Sequence, residues 1–190
     1  MALPTIDVNN ALSSAVGAGG LSAEALVKLA PRVAAAHAAV YGARAAGRLP
    51  YLDLPTDRPA AEAAKALAGE LSGFESLLVL GIGGSSLGAK ALFTALCHPF
   101  HNLLPAAARG GRPRVFFPDN SDGSTFAGLL EVVDLQRSAV AAITKSGGTA
   151  ETWAQLLLLR ERLGAEAARR QVVAITDPEK GALRAVAREE

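Results

Sequence analysis

Ala141-Ala142-Ile143-Thr144-Lys145-Ser146-Gly147-Gly148-Thr149-Ala150-Glu151-Thr152 passes from an apolar run into hydroxyls, a lysine and two glycines, and a periodic apolar segment starts at Trp153. That order predicts a buried strand, a tight polar loop and the first turn of a helix. Backbone N–H groups at a helix start lack intrahelical acceptors and stand at the positive end of the helix dipole. Lys145, Ser146, Thr149 and Thr152 add side-chain donors, so the stretch suits a cluster of anionic oxygens such as a phosphate. Gly147 and Gly148 let the backbone approach without a Cβ in the way. Spacings of three set Ser146, Thr149 and Thr152 toward one side of the incipient helix. A cap needs one hydroxyl; several hydroxyls with a lysine indicate more than a cap. Glu151 suits the first turn but would repel a phosphate, so it is expected to turn away and bond backbone in a capping arrangement.

Outward from this stretch, short apolar runs alternate with helical patterns. Leu77–Leu80, Val115–Phe117, Ala139–Ile143 and Gln171–Ile175 read as strands. Helices are predicted from the first glycine loop to Cys97, over Thr125–Val133, over Glu151–Leu163 and over Lys180–Arg188. The continuous run Leu77-Leu78-Val79-Leu80 has the character of a strand buried on both faces. Four such alternations call for an α/β fold: a doubly wound parallel sheet, flavodoxin-like, of at least four strands. Ligands of such sheets bind outside the carboxyl ends of the strands, where both glycine-rich loops fall. Asp119, Asn120 and Asp122 are expected to make turn hydrogen bonds, His98 and His101 to lie on the surface, and Trp153 with its following leucines to be core.

The other loop is Gly81-Ile82-Gly83-Gly84-Ser85-Ser86-Leu87-Gly88. It approaches the dinucleotide fingerprint, with Ser86 where the third Gly or Ala belongs and Asp119 well beyond the ~20-residue interval expected of a ribose-binding acid. The P-loop pattern fails because Ala89 precedes Lys90 and no Ser or Thr follows. A nicotinamide-dinucleotide-binding domain is therefore an alternative that Ser86 and the second loop disfavour.

Residues 1–74 differ in character and predict a helical N-terminal segment, followed by a second domain over 75–190. Residues 1–20 read as an irregular lead-in with a short helix. Ser22 caps a long alanine-rich helix reaching Gly47, which Pro31 is expected to divide or kink; Arg32, His37 and Arg44 supply its surface polarity. Leu49–Pro55 is a proline-bracketed connection, and Asp57 caps a helix to Leu71. The 190 residues are 50% hydrophobic with net charge +1, which provides no electrostatic field for nucleic acid or a membrane surface. Cys97 is the single cysteine, so no internal disulfide or cysteine-based zinc cluster forms, and no metal or cofactor is expected. No leader pattern and no apolar run of ~18 residues is present, which predicts a cytoplasmic protein.

With both loops in view, the sequence resembles the glucose-6-phosphate isomerase family. Leu80–Gly88 and Thr144–Thr152 are similar to that family's two phosphate loops, and Leu52-Asp53-Leu54-Pro55, Asp119-Asn120-Ser121-Asp122 and Thr176–Leu183 follow in the same order as in bacterial members. The resemblance covers about residues 50–190 and implies a sugar-isomerase (SIS) domain that binds glucose 6-phosphate or fructose 6-phosphate. It implies substrate contacts from Gly84 and Ser85 and phosphate contacts from Lys145, Ser146, Thr149 and Thr152. Thr144 is implied as a further substrate contact; it stands where the family usually has serine and keeps the hydroxyl while adding a methyl, and Gly148 stands where many members carry a hydroxyl. Family enzymes are far longer. Their catalytic glutamate, histidine and lysine lie beyond the matching stretch, so no catalytic residue is assigned here and the chain alone is expected to be inactive. They are homodimers, with the active-site histidine donated by the other subunit. A non-catalytic phosphosugar-sensing SIS module is the remaining alternative. A sheet ending at its fourth strand is also expected to expose an apolar edge and to associate.

Overall fold

The structure is a computed structural model that describes residues 5–189; the first four residues of the expected lead-in, and Glu190, lie outside the described residues. The chain divides into two compact units, residues 1–61 and 62–190.

In the first unit, a single helical turn, α1 (Ser13–Val16), precedes the long helix α2 (Ala23–Ala45). Ser22 Oγ accepts the Ala25 N–H at 3.1 Å, as an N-cap should. Pro31 does not divide the helix: α2 runs through it without a break. The alanine-rich surroundings have strong helical preference, which offsets the loss of one N–H donor. Gly47, with φ of 70°, ends the segment. Arg44 is held by Asp53 at 2.5 Å, and His37 lies against Tyr41 with ring centroids 4.4 Å apart. Two 3₁₀ turns, Pro50–Leu52 and Leu54–Thr56, lead to α3 (Arg58–Leu71), which Asp57 caps by accepting the Ala60 N–H at 3.0 Å and which passes into the second unit at Glu62.

The second unit contains β1 (Ser76–Leu80), α4 (Gly84–Leu96), β2 (Arg114–Phe116), α5 (Gly123–Val132), β3 (Ser138–Thr144), α6 (Ala150–Leu163), α7 (Ala165–Gln171), β4 (Val172–Thr176) and α8 (Ala182–Glu189). All pairings are parallel and the order is β2-β1-β3-β4. The first crossover runs one way across the sheet and the next two run the other way. Because such crossovers are right-handed, α4 is carried to one face and α5 and α6 to the opposite one. This is the doubly wound α/β fold the sequence predicts, and the order reverses between β1 and β3.

Leu78 and Leu80 of β1 and Val140 and Ala142 of β3 are buried against Phe126, Leu156, Leu159 and Leu183 from α5, α6 and α8. Alanines at 139, 141 and 142 keep β3 thin enough for close helix packing. The apolar residues of α6 are not uniformly core: Leu156 and Leu159 are buried, whereas Leu157 and Leu158 are exposed, because only one stripe of the helix faces the sheet. Trp153 is half-buried at the margin of that stripe.

His101 corrects the sequence expectation. It is buried, with its ring edge-on to Phe93 (centroids 5.2 Å apart) and Nε2 3.1 Å from the Pro113 carbonyl. Its neighbour Asn102 accepts the Val115 N–H at 2.8 Å and donates to the Val115 carbonyl at 2.7 Å. One side-chain amide thus substitutes for a neighbouring strand along part of the β2 edge. The short α7 was absent from the sequence reading. Gly164, with φ of 77°, separates it from α6, and Gln171 ends it by donating to the carbonyls of Leu135, Gln136 and Ser138.

Candidate functional site

The two strands that flank the reversal of strand order each end in a glycine loop. Leu80 is paired with Ala142 and Thr144 with Thr176, so Gly81–Gly83 and Lys145–Thr149 leave the same end of adjacent strands. That is the crevice in which doubly wound sheets place ligands.

In the first loop, Gly83 (φ 57°) is the N-cap of α4 and Gly84 its first residue. The Ser86 and Leu87 N–H groups already bond the Gly83 carbonyl at 3.0 and 2.8 Å. Gly84 is exposed and Ser85 half-buried at the mouth, whereas Ser86 is fully buried. Gly81 is required by close packing, since a Cβ there would meet Ser85 Cβ at 3.0 Å.

The second loop is held from three sides. The Gly147 carbonyl accepts the Trp153 indole N–H at 2.8 Å and the Leu183 N–H at 3.1 Å, which ties the loop to α6 and to α8. Thr176 Oγ1 donates to the Thr144 carbonyl at 2.7 Å from the neighbouring strand. Thr144 is buried, its hydroxyl 2.8 Å from Thr149 Oγ1 and 3.5 Å from Ser146 Oγ. Thr149 is the N-cap of α6, but its side chain makes no capping bond because its hydroxyl is engaged with Thr144. The first backbone bond of the helix ladder runs from Trp153 to Thr149, which leaves the N–H groups of Ala150, Glu151 and Thr152 ahead of it. The Gly148 N–H is 3.3 Å from Ser146 Oγ.

Lys145 and Ser146 are exposed at the mouth, Thr149 is half-buried, and Thr144 and Thr152 lie beneath them, with Thr152 Oγ1 buried and unpartnered. Among the described residues no carboxylate pairs with Lys145. Trp153 was assigned to the core by sequence; a tryptophan at the margin of an apolar stripe needs an acceptor for its indole, and that signal points to the strap on Gly147.

Three aspartates at this end of the sheet are engaged. Asp119 donates its N–H to the Phe117 carbonyl at 2.8 Å, in keeping with the expected turn role, while its carboxylate also bonds Lys90 at 2.7 Å; Asn120 accepts the Ser121 N–H at 2.8 Å. Asp122 caps α5, and the Thr125 hydroxyl, followed by the backbone N–H groups of Thr125 and Ser124, holds its carboxyl below the usual range. Asp177 is lowered in the same way by the Glu179 and Lys180 N–H groups. Gln155 is buried and donates to the carbonyls of Pro118 and Asn120, both at 3.0 Å, fixing the loop after β2 against α6.

No protein-family model matches the chain. It is 39% identical to a glucose-6-phosphate isomerase from Rubrobacter xylanophilus over 98% of its own length. It is 42% identical to another from Carboxydothermus hydrogenoformans over 74% of its length. The chain belongs to the glucose-6-phosphate isomerase family. It spans 42% of the length of the Rubrobacter relative and 30% of the Carboxydothermus one. Among solved structures, a hypothetical protein from Thermus thermophilus superimposes with a TM-score of 0.71 at 32% identity, covering 87% of this chain and 38% of that one. A glucose-6-phosphate isomerase from Chlamydia trachomatis gives 0.50 at 31% identity, covering 63% and 23%. Among the described residues no helix is long and apolar enough to cross a membrane.

Proposed function

We propose that this chain supplies the substrate-phosphate site of an aldose–ketose isomerase that interconverts glucose 6-phosphate and fructose 6-phosphate, with the proton-transferring base provided from outside residues 1–190. The observation that carries this reading is the second loop at the strand-order reversal, with three N–H groups ahead of the α6 ladder and unpaired Lys145 beside them. In this assignment Lys145, Ser146 and Thr149 hold the phosphate together with the Ala150–Thr152 backbone, and Gly84 and Ser85 border the sugar. Thr144 and Thr152 support the cradle from below.

Isomerisation needs a base that moves a proton between two carbons through an enediol. Three aspartates at this end of the sheet do not suit that task. Asp119 is ion-paired, and the hydrogen bonds that lower Asp122 and Asp177 make them weaker bases. His101 sits by Pro113, at the opposite end of the sheet. The phosphate does not react; its binding energy positions the sugar for chemistry at the far end. Cytoplasmic operation and a homodimer that completes the active site belong to the same proposal.

Calorimetric titration with fructose 6-phosphate is expected to give saturable binding. Lys145→Ala should weaken it by about tenfold, the worth of one charge-assisted hydrogen bond at an exposed site. Binding of NAD without fructose 6-phosphate would replace this assignment by a dinucleotide-binding domain. In a coupled isomerase assay the 190-residue chain is expected to give no turnover above background, and robust turnover would place the base within it.

A further inference from the structure

A second cluster of charge lies at the other, amino-terminal end of the sheet. Glu75 immediately precedes β1, Arg114 opens β2 and Arg137 immediately precedes β3; the pairing of Ser76 with Arg114 and with Ser138 brings the three together. Arg114 Nη2 donates to Glu75 Oε1 at 3.0 Å and Arg137 Nη1 to Glu75 Oε2 at 2.9 Å. Arg109 donates through Nε to the Arg112 carbonyl at 2.9 Å and through Nη1 to the Leu104 carbonyl at 2.5 Å. These four side chains line a cleft of about 470 Å³ with the segment Asn102–Ala106.

Bracing three strand starts would need one carboxylate and the two arginines that grip it. Arg109 is surplus to that task, and three guanidiniums facing one carboxylate leave the cleft with two uncompensated positive charges. Donors are in surplus as well. Each guanidinium carries five N–H groups, and Arg137, whose side chain is 68% exposed, uses one of them on Glu75. Guanidinium forks match phosphate oxygens in pairs, and a singly charged ion would leave the cleft positive.

We infer that this cleft binds a compact anion of two or more charges, of the diphosphate class, at a site separate from the sugar-phosphate loops. The test is a titration of the isotopically labelled 190-residue chain with sodium pyrophosphate at constant ionic strength, followed by amide chemical shifts. Saturating shifts are expected at Leu103, Leu104, Ala106, Arg109, Arg137 and Ser138. Arg137→Ala should weaken binding there by about fivefold, as loss of one exposed charge implies, and Lys145→Ala should leave it unchanged. Shifts confined to residues 81–88 and 145–152 would overturn the inference while leaving the sugar-phosphate site standing. Non-saturating shifts spread over the whole surface would overturn it too. The unmodified chain alone decides between these outcomes, so a poorly folded variant does not weaken the test.

Discussion

Gly147→Ala is expected to lower the unfolding free energy by about 2–3 kcal/mol, from the left-handed backbone penalty together with a backbone clash. The same change should remove detectable fructose 6-phosphate binding. Gly147 has φ of 71°, and a Cβ there would stand 2.9 Å from Gly181 Cα and 3.1 Å from the Ala182 nitrogen. Those atoms belong to backbone and cannot rotate aside. Relief requires either the loop or the start of α8 to move, and either motion strains the bonds from Trp153 and Leu183 that fix the Gly147 carbonyl. Gly148 is the internal control: its φ is not positive and nothing lies within 4 Å of a Cβ built on it, so Gly148→Ala should be nearly neutral in stability. Urea unfolding and calorimetric titration of the two variants make the comparison. Equal stability and equal binding would show that the loop is not held as its bonds indicate.

The two glycines illustrate what sequence could and could not convey. Their presence between an apolar run and a helix signature announced a strand–loop–helix junction. Which of them is indispensable depends on Gly181, far along the chain beyond β4 and itself at φ of 99°, and no local pattern carries that information. The alternation of strands and helices was legible because buried parallel strands are continuous apolar runs, and Leu77–Leu80 and Ala139–Ile143 show them plainly. The loops could be placed at the carboxyl ends of their strands by the general rule for parallel sheets, whereas the order β2-β1-β3-β4, which sets both at the reversal, came from the structure.

The failures share a cause. His101 was assigned to the surface because it lies in a loop with Pro99 and Pro105, yet Phe93 and the Pro113 carbonyl enclose it from elsewhere in the chain. Of the two outcomes expected at Pro31, division of the helix does not occur, because the preference of its alanine-rich neighbours outweighs one lost donor. Spacing grouped Thr152 with Ser146 and Thr149, but it could not show that Thr152 is buried while Ser146 is exposed and Thr149 half-buried. In each case the sequence supplied the residue type, and the environment came from distant segments.

Leu159→Ala is expected to cost about 2–5 kcal/mol, the range for truncating a buried leucine where the surroundings collapse only partly. Leu159 is completely buried and shares one cluster with Leu78, Leu80, Val140 and Leu156. Two strands supply that wall, and sheet backbone cannot close inward on a cavity without breaking its ladder. The loss should therefore lie in the upper half of the range. Leu158→Ala, one residue earlier and 48% exposed, should shift stability by no more than about 0.5 kcal/mol. The pair separates packing from helix propensity, since both changes replace leucine by alanine in the middle of α6. The consequence reaches the loops because α6 starts at the phosphate cradle and carries both Trp153 and Gln155. Urea unfolding measures the first effect. Titration with fructose 6-phosphate under conditions where Leu159→Ala remains folded measures the second. Full-strength binding by a strongly destabilised variant would show that the cradle is held by its local bonds to Trp153 and Leu183. Weakened binding would show that the core behind α6 sets the position of the site.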